Sequence, residues 1–278
     1  MLAHRPRSDV TVLRDGNVSD HQSSRLSPVD DMPRAMRNLY YAVHILRRRH
    51  FDLLFKQCWA SRVKQWLATT RELRLTEGRP TGDDNGRNTC FLHALPLALG
   101  CAMPRVQLLT ISALCGYVHM SFFPALSRFS SVESLDLAWC SLNRSQLQQI
   151  ILSFPLLTSL TLNEIRITSH HPASSVVVTA FRPPSDIHLR HLRVCAHYNL
   201  RFFDWIAQSG LCISLEHLSI SVREDLPRES MNALLKTAGS SLTRLLTHES
   251  YGDLVHNTAL QSLYLRFLLR KGFGPTRL

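Results

Sequence analysis

Lysine is almost missing from this chain, with 4 residues against 28 arginines in 278. Glycine (11 residues) and aromatic side chains (8%) are also sparse, which excludes a collagen-like or low-complexity polymer. The seven cysteines, at 58, 90, 101, 115, 140, 195 and 212, are odd in number and form no Cys-x-x-Cys pair. Neither a zinc ribbon nor a disulfide framework is therefore implied. No H-E-x-x-H, G-x-S-x-G, phosphate-cradling glycine-rich loop or ligand-spaced carboxylate pair occurs, so no enzyme, cofactor or metal site is expected. The best apolar run, CFLHALPLALGCAM at 90–103, is broken by His93 and Pro96. It falls short of the roughly 18 to 20 residues that cross a bilayer. Residues 1–30 carry Arg5, Arg7, Asp9, Arg14, Asp15 and Asp20 with no apolar stretch of a secretory signal. These absences lead us to expect an intracellular, cytoplasmic or nuclear monomer that does not associate with membranes.

What is abundant is leucine, 46 residues, within a hydrophobic content of 45%. Charge is uneven as well as basic. Of the net +11, residues 1–64 supply +6 from twelve basic and six acidic groups. Such a balance favours acidic partners and, at low salt, nucleic acid. The densest basic run, Arg47-Arg48-Arg49-His50, has no aromatic interleaving for stacking bases, which leaves a nucleic-acid binder as the weaker alternative.

Residues 1–37 are rich in Arg, Ser, Asp and Pro without a sustained period and are expected to form a disordered basic tail. Over 38–68 the apolar residues Leu39, Val43, Leu46, Phe51, Leu54, Phe55, Val63, Trp66 and Leu67 recur at roughly helical spacing and predict two short amphipathic helices. From 69 to 278 one unit dominates, L-x-x-L-x-L, in places continued as x-x-(Asn or Cys)-x-L. Its clearest copy is Val132, Leu135, Leu137, Cys140 and Leu142; a second is Leu157, Leu160, Leu162, Ile165 and Ile167. First positions fall at 70, 106, 132, 157, 189, 215, 242 and 260.

In a short strand alternate side chains face opposite ways, so the fourth and sixth positions point inward and the third, fifth and seventh point to solvent. One unit cannot cover its own apolar face, whereas stacked units cover each other. Between strands, QLQQIILSF, FFDWIAQSG and SMNALLKTAG read as helices, the last two stopping at Gly210 and Gly239. The segments 77–88, 168–175 and 182–186 read as loops, and His170-His171 lies in one of them as an exposed tip. The expected fold is α/β: a leucine-rich-repeat solenoid, or arc, with parallel strands on the concave face and helices on the convex face. Only thirteen residues follow Leu265, which predicts an incompletely capped apolar edge and poor solubility.

The pieces FSSVESLDLAWCSL, LSFPLLTSLTLNEI, LRHLRV with FDWIAQSG, SLEHLSISV, LLKTAGSSLTRLL and HNTALQSLYL occur in that order over about half of the chain. In order and spacing they resemble the leucine-rich-repeat proteins of basidiomycete fungi that commonly carry an N-terminal F-box. The resemblance implies a repeat domain that recognises proteins, serving in F-box members as substrate receptor of a ubiquitin ligase. Here the F-box is absent or degenerate: Met32-Pro33 is a faint echo of its opening, and RRRHFDLLF resembles the tail beyond the box more than the box itself. A complete but divergent F-box within 30–60, binding a Skp-type adaptor, is the alternative.

Outward strand positions are where a repeat protein would meet its partner. The candidates are Asp136, Thr161, Asn163, His191, Arg193, His217, Arg244, Tyr264 and Arg266. Small polar groups fill the middle and cationic groups gather toward the C-terminal half. That distribution suits a protein partner with an acidic or phosphorylated segment. The plainer reading is a solvated polar face.

Overall fold

A computed structural model describes residues 35–36, 38–76, 91–114, 119, 121–167, 187–196, 200–222, 228–248 and 252–266. The expected tail apart from residues 35–36, the loops at 77–88, 168–175 and 182–186, His170-His171 and the last twelve residues lie outside them. Eleven strands are described: β1 (Ala42–Ile45), β2 (Glu72–Thr76), β3 (Leu108–Ser112), β4 (Ser134–Ala138), β5 (Ser141–Leu142), β6 (Ser159–Asn163), β7 (Arg166–Ile167), β8 (His191–Ala196), β9 (His217–Val222), β10 (Arg244–His248) and β11 (Ser262–Arg266). Nine of them form one sheet in sequence order, β1-β2-β3-β4-β6-β8-β9-β10-β11. All eight pairings are parallel. The continuation after the sixth repeat position makes a second small pairing, β5 with β7.

Register follows the repeat. Leu73, Leu109, Leu135, Leu160, Leu192, Leu218, Leu245 and Leu263 are aligned across the sheet from β2 to β11. From Leu73 to Leu245 each is buried. The second inward row runs Ile45, Leu75, Ile111, Leu137, Leu162, Val194, Ile220, Thr247, Leu265. Strands buried behind by their own leucines and joined in parallel need a crossover between them, which the intervening segments supply.

The backbone repeats as regularly as the side chains. The carbonyl just before each strand accepts hydrogen bonds from two consecutive N–H groups at the start of the next. Gln107, for example, receives Glu133 and Ser134; Glu133 receives Thr158 and Ser159; Arg190 receives Glu216 and His217. After β3, β4 and β6 the chain turns through a left-handed residue that is not glycine: Ala113 (φ 58°), Trp139 (57°) and Glu164 (53°). The N–H groups of these three residues donate to Ala138, Asn163 and Cys195 carbonyls at 2.8, 2.8 and 2.6 Å, so the strained turn is secured to the next unit each time. Cys140 then takes the place of the turn-forming asparagine, its thiol donating to Ala138 O at 3.3 Å and Ile111 O at 3.5 Å.

The helices are α1 (Arg48–Gln57), α2 (Ser61–Leu67), α3 (Phe91–Leu99), α4 (Phe122–Leu126), α5 (Arg144–Leu152), α6 (Leu200–Gln208) and α7 (Arg228–Ala238). Helix α5 begins with a capping box: Asn143 Oδ1 accepts from Gln146 N and Gln146 Oε1 accepts from Asn143 N, both at 2.8 Å. Leu147, Ile150, Ile151 and Phe154 bury the face read from the sequence. The aromatic side chains of Phe122, Phe123, Phe202, Phe203 and Trp205 are core. Gly210 (φ 81°) and Gly239 (φ 52°) end α6 and α7 in the left-handed conformation that glycine tolerates. Neighbouring helical units are tied by hydroxyls, Ser153 to Phe123 O (2.8 Å), Thr237 to Ala207 O (3.2 Å) and Ser241 to Ile213 O (2.7 Å).

One expectation needs correction. The first stretch of 38–68 is not helical throughout, because Ala42–Ile45 is a strand paired with β2. Its inward residues Val43 and Ile45 continue the two apolar rows, so tertiary burial overrides the helical spacing. Ile45, Phe51, Cys58 and Leu67 also join the common core, which therefore runs through the expected boundary at residue 68. Helix α3 lies in the apolar run at 90–103 and continues through Pro96. Pro96 supplies no N–H, yet the helix survives because Phe91, Leu92, Leu95 and Leu99 are buried. Gly100 comes next, where a β-carbon would lie 2.5 Å from Arg128 Cβ and 2.6 Å from Pro96 O. No described helix is long and apolar enough to cross a membrane.

Candidate interaction face on the sheet

Period-two alternation sends three rows of side chains to the side of the sheet opposite the leucines. Register aligns the first row as Glu72, Leu108, Ser134, Ser159, His191, His217, Arg244, Ser262. The second is His44, Arg74, Thr110, Asp136, Thr161, Arg193, Ser219, Leu246, Tyr264. The third carries Asn163 between Ala138 and Cys195, and ends with Arg266 at the register position beside His248. All nine candidate residues stand on strands of this sheet, seven of them on strands whose inward and outward side chains alternate in burial and two, Tyr264 and Arg266, on β11, where Leu263 and Leu265 are exposed.

A hollow of about 350 Å³ opens on this face over β6, β8, β9 and β10. It brings together Thr161, His191, Arg193, His217, Arg244 and Tyr264, six of the candidates. Arg193 and Arg244 are exposed and the two histidines are half-buried. Leu246, an outward leucine, also lines it together with Ser159 and Ser219. The rings of His191 and His217 meet edge to face with centroids 4.5 Å apart. Partial burial, His191 and Arg244 together hold His217 below the ordinary histidine range against an opposing pull from Glu216. Glu216 is itself paired with Arg190 at 3.8 Å.

Asp136 lies outside the hollow, between Thr110 and Thr161 in its row. Its Oδ1 is buried and has no hydrogen-bond partner among the described residues. Desolvation raises its pKa above the usual carboxylate range, although Arg193 and Arg74 pull the other way. A carboxylate held in this condition is short of partners and suited to receive a donor. Arg74 is engaged with Glu72 at 3.3 Å. Asn163 is half-buried one row away, and the hollow does not include it.

Sequence position alone placed these residues on one face but did not show that His191 and His217 form an edge-to-face pair. Their equivalent places in successive repeats, both first outward positions, carried that signal. Elsewhere, burial pushes the Cys212 thiol up to about 12, as suits a packed thiol. Among the described residues no group of three or more His, Cys, Asp or Glu side chains could hold a metal ion.

No family model matches this chain, and no curated protein matches it. Among solved structures, a crystal structure of an internalin from Listeria monocytogenes is similar over 72% of this chain and 69% of that one, at 14% identity and a TM-score of 0.26.

Proposed function

We propose that this chain is a non-catalytic protein-interaction module, a leucine-rich-repeat solenoid whose parallel strands form the concave face and whose helices form the convex one. On this reading the strand face binds a protein partner through an acidic or phosphorylated segment. The observation that supports it most is the hollow where Arg193, Arg244, His191 and His217 converge on a face backed by an unbroken leucine core. A rigid sheet presents such groups with little ordering on binding, which favours affinity. In the fungal repeat proteins that the sequence resembles, this role belongs to substrate recognition by a ubiquitin ligase.

The test is site-specific photo-crosslinking in extracts of the source cells. A crosslinking residue at Thr161 or Ser219 is expected to capture the same protein, and one at Gln149 on α5 to capture none of it. Capture from Gln149 alone would overturn the assignment of the face.

One observation favours a second reading, an adaptor-binding element within 30–60. Leu39, Tyr41, Leu46, Leu53, Phe55 and Trp59 are exposed over this stretch, Trp59 to 75%. Deleting it would remove β1 and α1 from the core, so the test uses Leu53→Ala with Trp59→Ala in the intact chain. Loss of Skp-type adaptor capture by this variant would support the reading, and no capture by the parent chain would end it.

A further inference from the structure

We propose that the hollow over β6, β8, β9 and β10 is a phosphoryl subsite that takes a phosphorylated side chain of an extended partner segment, while Asp136 receives a basic residue of the same segment. This rests on the strand face being the interaction surface, and commits it to one chemistry.

Donor number comes first. Arg193, Arg244, His191 and His217 line the hollow together with the hydroxyls of Ser159, Thr161, Ser219 and Tyr264, and no carboxylate is among the lining residues. A carboxylate accepts with two oxygens in one plane. A phosphoryl group offers three terminal oxygens and about −1.5 to −2 charges, and can use donors arriving from several strands at once. Neither Arg193 nor Arg244 forms an ion pair among the described residues. Their fields are therefore available to a ligand.

The histidine pair adds a second property. Facing it are Arg193 and Arg190 on or beside β8, Glu216 beside β9, Arg244 on β10, Tyr264 on β11 and Asp136 on β4; β6 contributes only hydroxyls. Partial burial, the His191 ring at 4.5 Å and the neighbouring Arg244 make a charge on His217 costly. A dianion placed over them removes that objection, so binding takes up a proton and strengthens as the medium is acidified below the ordinary histidine value. Phosphate, with a second ionisation near pH 6, loses part of its own charge over the same range. The gain is consequently modest and levels off.

Spacing then defines the segment. From Asp136 on β4 to the pair on β8 and β9 is two to three strand intervals, about 10 to 14 Å, which three or four extended residues span at about 3.3 Å each. The basic residue should stand three or four positions from the phosphorylated one.

The experiment uses the full chain and an array of degenerate peptides centred on phosphoserine, phosphothreonine, phosphotyrosine, Glu or unmodified Ser, with a single Arg scanned over the flanks. Fluorescence polarisation then gives the solution affinities. Phosphorylated arms should bind about tenfold or more tightly than Glu arms, and Arg244→Gln or Arg193→Gln should each weaken them about tenfold. Acidifying from pH 7.5 to 6.0 should strengthen binding by about two- to threefold in the parent and leave His217→Asn, checked for folding by circular dichroism, unchanged. Asp136→Asn should erase the preference for Arg at three or four positions while keeping phosphate dependence. Equal binding of Glu arms, still lost in Arg244→Gln, would overturn the phosphoryl subsite and leave the interaction face standing. Phosphopeptide binding indifferent to both arginine variants, retention of inorganic phosphate without any phosphopeptide, or stronger association with phosphoinositide vesicles than with peptides would each overturn the proposal. So would an array with no bound peptide, whereas photo-crosslinking from Thr161 and Ser219 decides the interaction face separately.

Discussion

Leu160 and Leu263 occupy the same repeat position, and truncating each to alanine should separate what the repeat specifies from what stacking adds. Leu160 is fully buried, flanked in its row by Leu135 on β4 and Leu192 on β8. Leu263 is on the last described strand, which among the described residues pairs only with β10, and is 41% exposed. Three carbons leave the core at Leu160, worth about 2.4 kcal/mol at about 0.8 kcal/mol each. A residual cavity brings the expected loss to about 3 to 4 kcal/mol, inside the range of about 2.7 to 5.0 found for buried leucines. At Leu263 water fills whatever is removed and about half of the transfer term was never realised, so the expected loss is about 1 kcal/mol. Urea unfolding followed by far-ultraviolet circular dichroism and by tryptophan fluorescence measures both, because Trp205 is buried in α6. Coincidence of the two probes must be checked, since repeat arrays can open from one end. Equal losses at the two positions would refute the argument, as would a loss below about 1.5 kcal/mol at Leu160, since an unbroken inward row could not then be holding the sheet.

Other substitutions test particular bonds. Asn257 is buried and donates its amide to Leu235 O at 3.0 Å and Gly239 O at 2.9 Å, holding the end of α7 against the segment before β11. Asn257→Ala should cost about 2 kcal/mol, and Asn257→Asp more, because a buried carboxylate would face two carbonyls; chemical denaturation compares them. Ala113→Gly should be neutral or stabilise by up to about 1 kcal/mol, reversing the usual glycine penalty, because Ala113 holds φ at 58°. A clear destabilisation in the same assay would mean that the turn is not strained. His44, His50, His93 and His217 are all held below the ordinary value of 6.5, mainly by burial. The folded state then binds fewer protons than the unfolded one, so stability should be full above about pH 6.5 and fall as the pH drops below it, which a Tm series without ligand would show. Asp136 has the opposite sign, a carboxyl raised by desolvation, so Asp136→Asn should slightly raise the Tm at pH 7 while weakening partner binding. A lower Tm would mean that the carboxylate is a structural partner.

The strand ladder could be read from the chain because every inward position except Thr247 is filled by a residue type that buries well, and Leu135 and Leu137 or Leu160 and Leu162 repeat that choice at fixed intervals. Strand β1 was hidden because Leu39, Val43 and Leu46 also fit a helical period, and only pairing with β2 decides between them. Helix α3 was not among the helices read between the strands; the local cost of Pro96 within it is outweighed by the burial of its neighbours. For the interaction face, period-two alternation named the outward residues, yet the meeting of His191 with His217 needed register across 26 residues. Asn257 is part of the piece HNTALQSLYL. Its bonds to Leu235 and Gly239 reach back 22 and 18 residues, beyond any local pattern.

Strict register has a consequence for how such a face could change over evolutionary time. Each strand contributes one side chain to each row, so distances across the face come in steps of one strand interval, about 4.8 Å. Duplicating the strand–helix unit of β6, between β4 and β8, would shift Asp136 relative to the cationic hollow by one such step and leave the strands beside each unchanged in kind. Point substitutions, by contrast, would change which groups are presented without moving them. Partner spacing and partner chemistry are therefore separately adjustable in this architecture, the first by counting units and the second by editing rows.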